Sequence, residues 1–167
     1  SFQHHTFTPL WFAAIMVINA LTHMRKGTCL LTGRPFRYAA LFPVSAAFWW
    51  YFEYLNRFVQ NWYYLNIDGF GRLEYGLFAT LSFSTVLPAI VSTVELLRTF
   101  SAVEYGFRTA RGWSPRHPRL VGVIAIAIGA IVLASIGARP DPFFAVLWLG
   151  PILIWWGGQV LTGEDAI

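Results

Sequence analysis

One run of polar side chains stands out in an otherwise apolar chain. Ser45, Trp49, Glu53, Asn56 and Gln60 follow one another at spacings of 4, 4, 3 and 4. On a helix these positions share one face. The remaining faces of the same segment are aromatic or aliphatic. A carboxylate flanked by two amides and an indole offers two kinds of chemistry. Glu53 can act as a general acid or base, with Asn56 and Gln60 orienting a bound molecule. It can also pair with Arg57, one turn later in the favourable Glu-then-Arg order, and hydrogen-bond a neighbouring helix. Glu53 and Asn56 are thus the candidate catalytic residues, and the structural pair is the alternative.

The stripe leads into Asn61, Trp62, Tyr63 and Tyr64. Trp and Tyr favour a membrane–water boundary, where a ring meets lipid and a polar tip meets water. The same rings could stack a pigment, a quinone or an isoprenoid. Ser45, Trp49, Glu53, Asn56, Arg57, Gln60, Trp62 and Tyr64 form the expected ligand or partner contact. Trp148, Trp155 and Trp156 admit the same two readings. Metal chemistry has weak support, because no His/Cys pair has ligand spacing. His23 is the one candidate for an axial ligand of a haem or chlorophyll. His117 reads as a loop residue, and His4 and His5 read as a tail. Cys29 is the lone cysteine, a plain thiol or a palmitoylation site in a basic loop. No phosphate loop, dinucleotide fingerprint or nucleophile elbow is present.

The elements that must position these residues are apolar and long. Of 167 residues, 56% are hydrophobic and only 12% are charged. Soluble domains carry about 25% charged residues. Disorder and a disulfide scaffold are excluded, and the composition predicts an all-α, polytopic transmembrane bundle. Spans of about 20 apolar residues are predicted at about 9–24, 38–57, 74–97, 120–138 and 143–161. The first has neither a basic n-region nor a small-residue cleavage site, and so reads as a span. Glu53 then lies roughly 23 Å along the second span, counted from Tyr38 at about 1.5 Å per residue. An acid at that depth is costly and faces protein, a cavity or a ligand.

In the third span Ser84, Pro88, Ser92 and Glu95 share a face, and a kink is predicted near Pro88. In the fourth, Gly122, Ala125 and Gly129 mark a close helix contact, within this chain or with a partner. Arg139, Pro140, Asp141 and Pro142 predict a tight turn.

The loops after spans one and three hold nine of the 12 basic residues. Arg57, Arg72 and Arg139 lie on the other side. This bias predicts an outer N-terminus and a cytoplasmic C-terminus. It also argues against nucleic acid as a partner, since the charges do not gather on one folded surface.

The pattern Ser45-x3-Trp49-x2-Phe52-Glu53-x2-Asn56-x4-Asn61-Trp62-x-Tyr64 resembles that of a family of uncharacterised bacterial integral membrane proteins. Phe7-Thr8-Pro9-Leu10-Trp11 and Thr85-Val86-Leu87-Pro88-Ala89 are also similar to it. The resemblance covers roughly the first 100 residues well and the rest loosely. It implies a multi-pass protein of the bacterial inner membrane and no particular activity. Members of that family carry a second Trp-Glu-aromatic-Asn segment further on. The chain shows no second copy, so it is either the N-terminal part of a longer protein or a departure from the family.

The expected function is a non-catalytic subunit that packs in or scaffolds a larger membrane complex, photosynthetic or respiratory. Its expected partners are the lipid bilayer and other membrane subunits, with bound lipid, or a pigment or quinone at an interface, as expected ligands. The alternative is a membrane enzyme acting on a lipid or isoprenoid, with Glu53 as general acid or base. A transporter fits less well, since no repeat is visible. The two main readings differ on one point. An enzyme turns the stripe to a cavity, and a scaffold buries it in a helix contact.

Overall fold

The computed structural model describes residues 6–65, 67, 69–109, 115–138, 140 and 145–163. The tail histidines His4 and His5, Arg139 and Asp141–Pro142 of the expected turn, and the start of the expected fifth span lie outside them. Every described element is a helix. They are α1 (Phe7–Lys26), the single turn α2 (Leu30–Gly33), α3 (Pro35–Val59), α4 (Arg72–Ser84), α5 (Val86–Leu97), α6 (Ser101–Thr109), α7 (Pro118–Ser135) and α8 (Val146–Thr162).

Three stretches are long and apolar enough to cross a membrane: Phe7–Lys26, Arg72–Leu97 and Pro118–Ser135. Helix α8 is a shorter apolar helix. At 25 residues, α3 has the length to span. Its many Trp and Tyr residues, together with Arg37, Glu53 and Arg57, lower its mean hydropathy. The helix ends follow local chemistry. Helix α1 runs two residues past the expected span, because Arg25 and Lys26 suit the negative end of the helix dipole. Gly27 then stops it at φ 78°, its N–H bonded to the His23 carbonyl at 2.7 Å. Helices α3 and α7 open on Pro35 and Pro118, where a missing N–H costs nothing. Helix α6 is an element that the basic loop did not announce.

The chain forms two compact units. The first holds residues 1–51 and 64–108, with α1, α2, the first part of α3, α4, α5 and α6. Here α1 packs on α5 and α4 through a narrow stripe of Ile15, Asn19 and Thr22. Ile15, Tyr38 and Ala89 form its apolar centre, flanked by Leu30, Leu31, Leu41 and Phe42. Lys26 meets Glu95 at 2.6 Å, and the other Glu95 oxygen accepts the Leu30 N–H at 2.9 Å. Arg25 donates to Thr99 Oγ1 at 2.6 Å and lies over the Phe100 ring at 4.0 Å. The basic segment after α1 is thereby tied to the end of α5. Cys29 is buried at 3% exposure, its Sγ 3.5 Å from Thr32 Oγ1.

The second unit holds residues 52–63 and 109–167. Helices α7 and α8 make its main contact. Phe52, Leu55, Ile136 and Leu147 form its core, with Val59, Trp62 and Leu133 packed against it.

The expected third span is one apolar stretch but two helices. The break falls at Thr85, one turn before Pro88. Pro88 has no N–H for the Ser84 carbonyl, and its ring crowds that carbonyl. Thr85 folds back instead, its N–H and Oγ1 reaching the Ser82 carbonyl at 3.2 and 2.7 Å.

Outside these contacts the helices present apolar side chains. Leu10, Met16, Leu77, Ile131 and Trp155 are all more than half exposed. Rows of this kind are compatible with a lipid bilayer.

Candidate functional site

Along α3 the polar stripe begins with Ser45, which is 1% exposed. Its hydroxyl donates to the Phe83 carbonyl at 2.5 Å and accepts the Leu87 N–H at 3.0 Å. Residues 83 and 87 are four apart, so a continuous helix would join these two groups directly. The Ser45 hydroxyl occupies that gap, and a side chain inserted in the ladder is a recognised cause of a bend.

Trp49 lies one turn on. It is half-buried and tilted against Phe83, with ring centroids 5.9 Å apart. Its neighbour Trp50 donates to Thr80 Oγ1 at 3.0 Å. Both indoles thus bear on α4.

Glu53 and Asn56 belong to the second unit. Glu53 is half-buried, and its Oε1 accepts the Trp62 indole N–H at 2.9 Å. Trp62 also tilts against Trp148 at 5.6 Å, and Trp148 stacks on Phe52 at 5.1 Å and 21°. The carboxylate therefore sits at the polar edge of an aromatic cluster. Asn56 is bonded to the segment that follows the helix. Its Nδ2 donates to the Trp62 carbonyl at 2.7 Å, and its Oδ1 accepts the Asn61 N–H at 2.8 Å.

Gln60 departs from the stripe. It takes φ 49°, the left-handed region, and its N–H closes α3 on the Asn56 carbonyl at 2.8 Å. The expected spacing of 4 therefore stops at Asn56, because the helix ends before the fifth position. Gln60 and Arg57 are both exposed. Tyr64 returns to the first unit, where it lines a cavity.

That cavity, of about 960 Å³, was not foreseen as a unit. It lies against α1, α4 and α5, with Trp49 of α3 and Tyr64, Leu65, Ile67 and Phe70 completing its described wall. Phe7, Trp11, Tyr64, Phe70, Tyr75 and Phe78 give it an aromatic end. No charged side chain is among its described lining residues.

The first unit also holds a buried polar cluster that spacing did not reveal. Asn19 Nδ2 lies 3.0 Å from the Tyr38 hydroxyl and 2.9 Å from Ser92 Oγ, and those two hydroxyls are 2.7 Å apart. Each residue is at most 3% exposed. Asn19 was visible as the sole polar residue central to the first span. Its partners lie 19 and 73 positions away, beyond any local periodicity. Ser92, on the expected polar face of the third span, is thus a packing residue. Glu95, at the end of that face, forms the ion pair with Lys26.

The small residues of the fourth span pack on α8. A Cβ on Gly129 would meet the Gly150 carbonyl at 2.8 Å, and one on Gly122 would meet the Gly157 carbonyl at 2.8 Å. Ala125 is buried between them. The contact is reciprocal, since Gly150 and Gly157 are equally hemmed in by Leu133 and by the Gly122 carbonyl. Their seven-residue spacing in the fifth span was a readable sign of this.

His23 is exposed, with Nδ1 at 3.4 Å from Thr32 Oγ1. Among the described residues no group of three His, Cys, Asp or Glu could hold a metal ion.

No family model, no curated protein and no solved structure matches this chain.

Proposed function

We propose that the chain is a non-catalytic subunit of a larger complex in the bacterial inner membrane, of the photosynthetic or respiratory kind. It crosses five times, with an outer N-terminus and a cytoplasmic C-terminus. The observation that carries this reading is the double hydrogen bond of Ser45 to Phe83 and Leu87. The stripe begins by holding helices together. Asn56 continues in the same way, with both ends of its amide on the backbone of residues 61 and 62. Groups so engaged hold structure and leave little capacity for a substrate.

The charge distribution supports the topology. The residues that follow α1 and α5 hold most of the Arg and Lys. Lys26–Glu95 and Arg98–Glu104 then fall together at the cytoplasmic boundary. The rows of exposed apolar side chains leave ample surface for lipid and for partner subunits.

The second reading is a membrane enzyme acting on a lipid or isoprenoid. Its supporting observation is the half-buried Glu53 carboxylate. Glu53→Gln separates the two, because it keeps an acceptor for Trp62 and removes the proton-transferring group. The variant is produced in its native host beside the wild type. The subunit reading expects equal amounts in the membrane and unchanged growth. The enzyme reading expects equal amounts and a loss of the biological output. Reporter fusions after Gly33 and after residue 109 test the topology, and both should report the cytoplasm.

A further inference from the structure

The cavity of the first unit has two chemically different halves. Its aromatic half is built from Phe7, Trp11, Trp49, Tyr64, Tyr75 and Phe78. Its other half is one face of α5: Val86, Ala89, Ile90, Thr93 and Val94, at spacings of 3, 1, 3 and 1. The volume, about 960 Å³, lies near the top of the range for small-molecule sites, roughly 300–1,000 Å³.

The polar groups narrow the occupant further. No described lining residue is charged, so among these residues a phosphate or ammonium headgroup finds no counter-charge. At the wall Ser82 Oγ meets Thr8 Oγ1 at 2.8 Å. Either hydroxyl can donate in that bond, and with Thr8 as the donor the Ser82 O–H is left to donate into the cavity. Thr93, in the aliphatic half, is turned back on the Ala89 carbonyl at 2.7 Å. The Ser82 hydroxyl lies where the rings meet the aliphatic half, between Phe78 and Val86 along the chain.

We propose that this cavity binds an uncharged ring-bearing lipid with a carbonyl acceptor, a prenylated quinone. The flat ring stacks among the aromatic side chains and its carbonyl accepts from the Ser82 hydroxyl. The chain lies along the Val86–Val94 face. The inference stands on the cavity alone and holds whether or not the chain is a subunit.

The test is a fluorescence titration of the purified full chain in detergent with a short-chain benzoquinone. Quinones quench indole emission, and Trp11 and Trp49 line the cavity. The expected result is saturable quenching that Ser82→Ala weakens about 3- to 10-fold, the range of one neutral hydrogen bond. Quenching that rises linearly with quinone in the micelle overturns the site. Saturable binding displaced equally well by a ring-less prenyl alcohol overturns the ring assignment. Binding unchanged in Ser82→Ala overturns the carbonyl contact. The wild-type curve decides the first two without any variant.

Discussion

The Ser45 hydroxyl donates to the Phe83 carbonyl at 2.5 Å, in the gap that the α4–α5 break leaves open. A serine on one helix thereby completes the backbone of another. Ser45→Ala removes this bond and the one from Leu87, and takes away the side-chain link between α3 and the α4–α5 break. The expected loss is about 1–3 kcal/mol. Thermal unfolding in detergent should show a lowered midpoint with unchanged helix content at 20 °C.

The glycines of α7 and α8 make a paired prediction. Gly129→Ala places a methyl 2.8 Å from the Gly150 carbonyl, and a backbone atom cannot yield cheaply. A destabilisation of about 1–3 kcal/mol is expected. Gly158→Ala adds a methyl to open space in the same helix pair. It should be neutral, or stabilising by up to about 1 kcal/mol through helix propensity. Equal losses in the two variants would contradict the close packing of α7 on α8.

Glu53 and Trp62 should be energetically coupled. Trp62→Phe retains a ring against Trp148 and removes the indole N–H, for an expected loss of about 1–3 kcal/mol. Glu53→Gln retains an acceptor and should lose less. In a double-mutant cycle with Glu53→Leu the two changes should be non-additive. Strict additivity would show that the 2.9 Å bond contributes nothing to stability.

Glu104 yields a pH dependence. Hydrogen bonds from Arg98 and Arg108 hold its carboxyl down at about 2, against an ordinary value of 4.5. A depressed acid stabilises the folded form fully above its unfolded value. That contribution fades as pH falls from 4.5 toward 2. Glu104 is exposed to solvent screening, so the effect is local and small. Hydrogen exchange of the α6 amides, corrected for intrinsic rate, should lose protection across this window. Glu104→Gln should abolish the pH dependence.

Much of the architecture was legible because long apolar runs have few alternatives. Four of the five expected spans overlie single described helices, the third is split by its own proline, and three stretches are long and apolar enough to cross a membrane. Pro88 announced the interruption, but its position at Thr85 follows from which carbonyl the proline ring displaces. The stripe on α3 was legible as far as Asn56 because 3.6-residue periodicity is local. It failed at Gln60, where the backbone turns left-handed and a helical spacing loses meaning. What Ser45 touches was not legible, since its partners lie 38 and 42 residues away. The same limit hid the Asn19–Tyr38–Ser92 cluster and the cavity, which are assembled from segments remote in sequence. The close approach marked by Gly122 and Gly129 was readable, but its partner needed the structure. Reading α7 alone leaves this chain and another molecule equally open.

The proposed role is that of a structural subunit within a larger membrane assembly. Native mass spectrometry of the wild type, released from its own membrane in mild detergent, tests it most directly. The expected result is a discrete species that contains the chain and at least one other membrane polypeptide in fixed stoichiometry, preserved in Glu53→Gln. A chain that leaves the membrane alone, with only detergent and lipid bound, contradicts the claim.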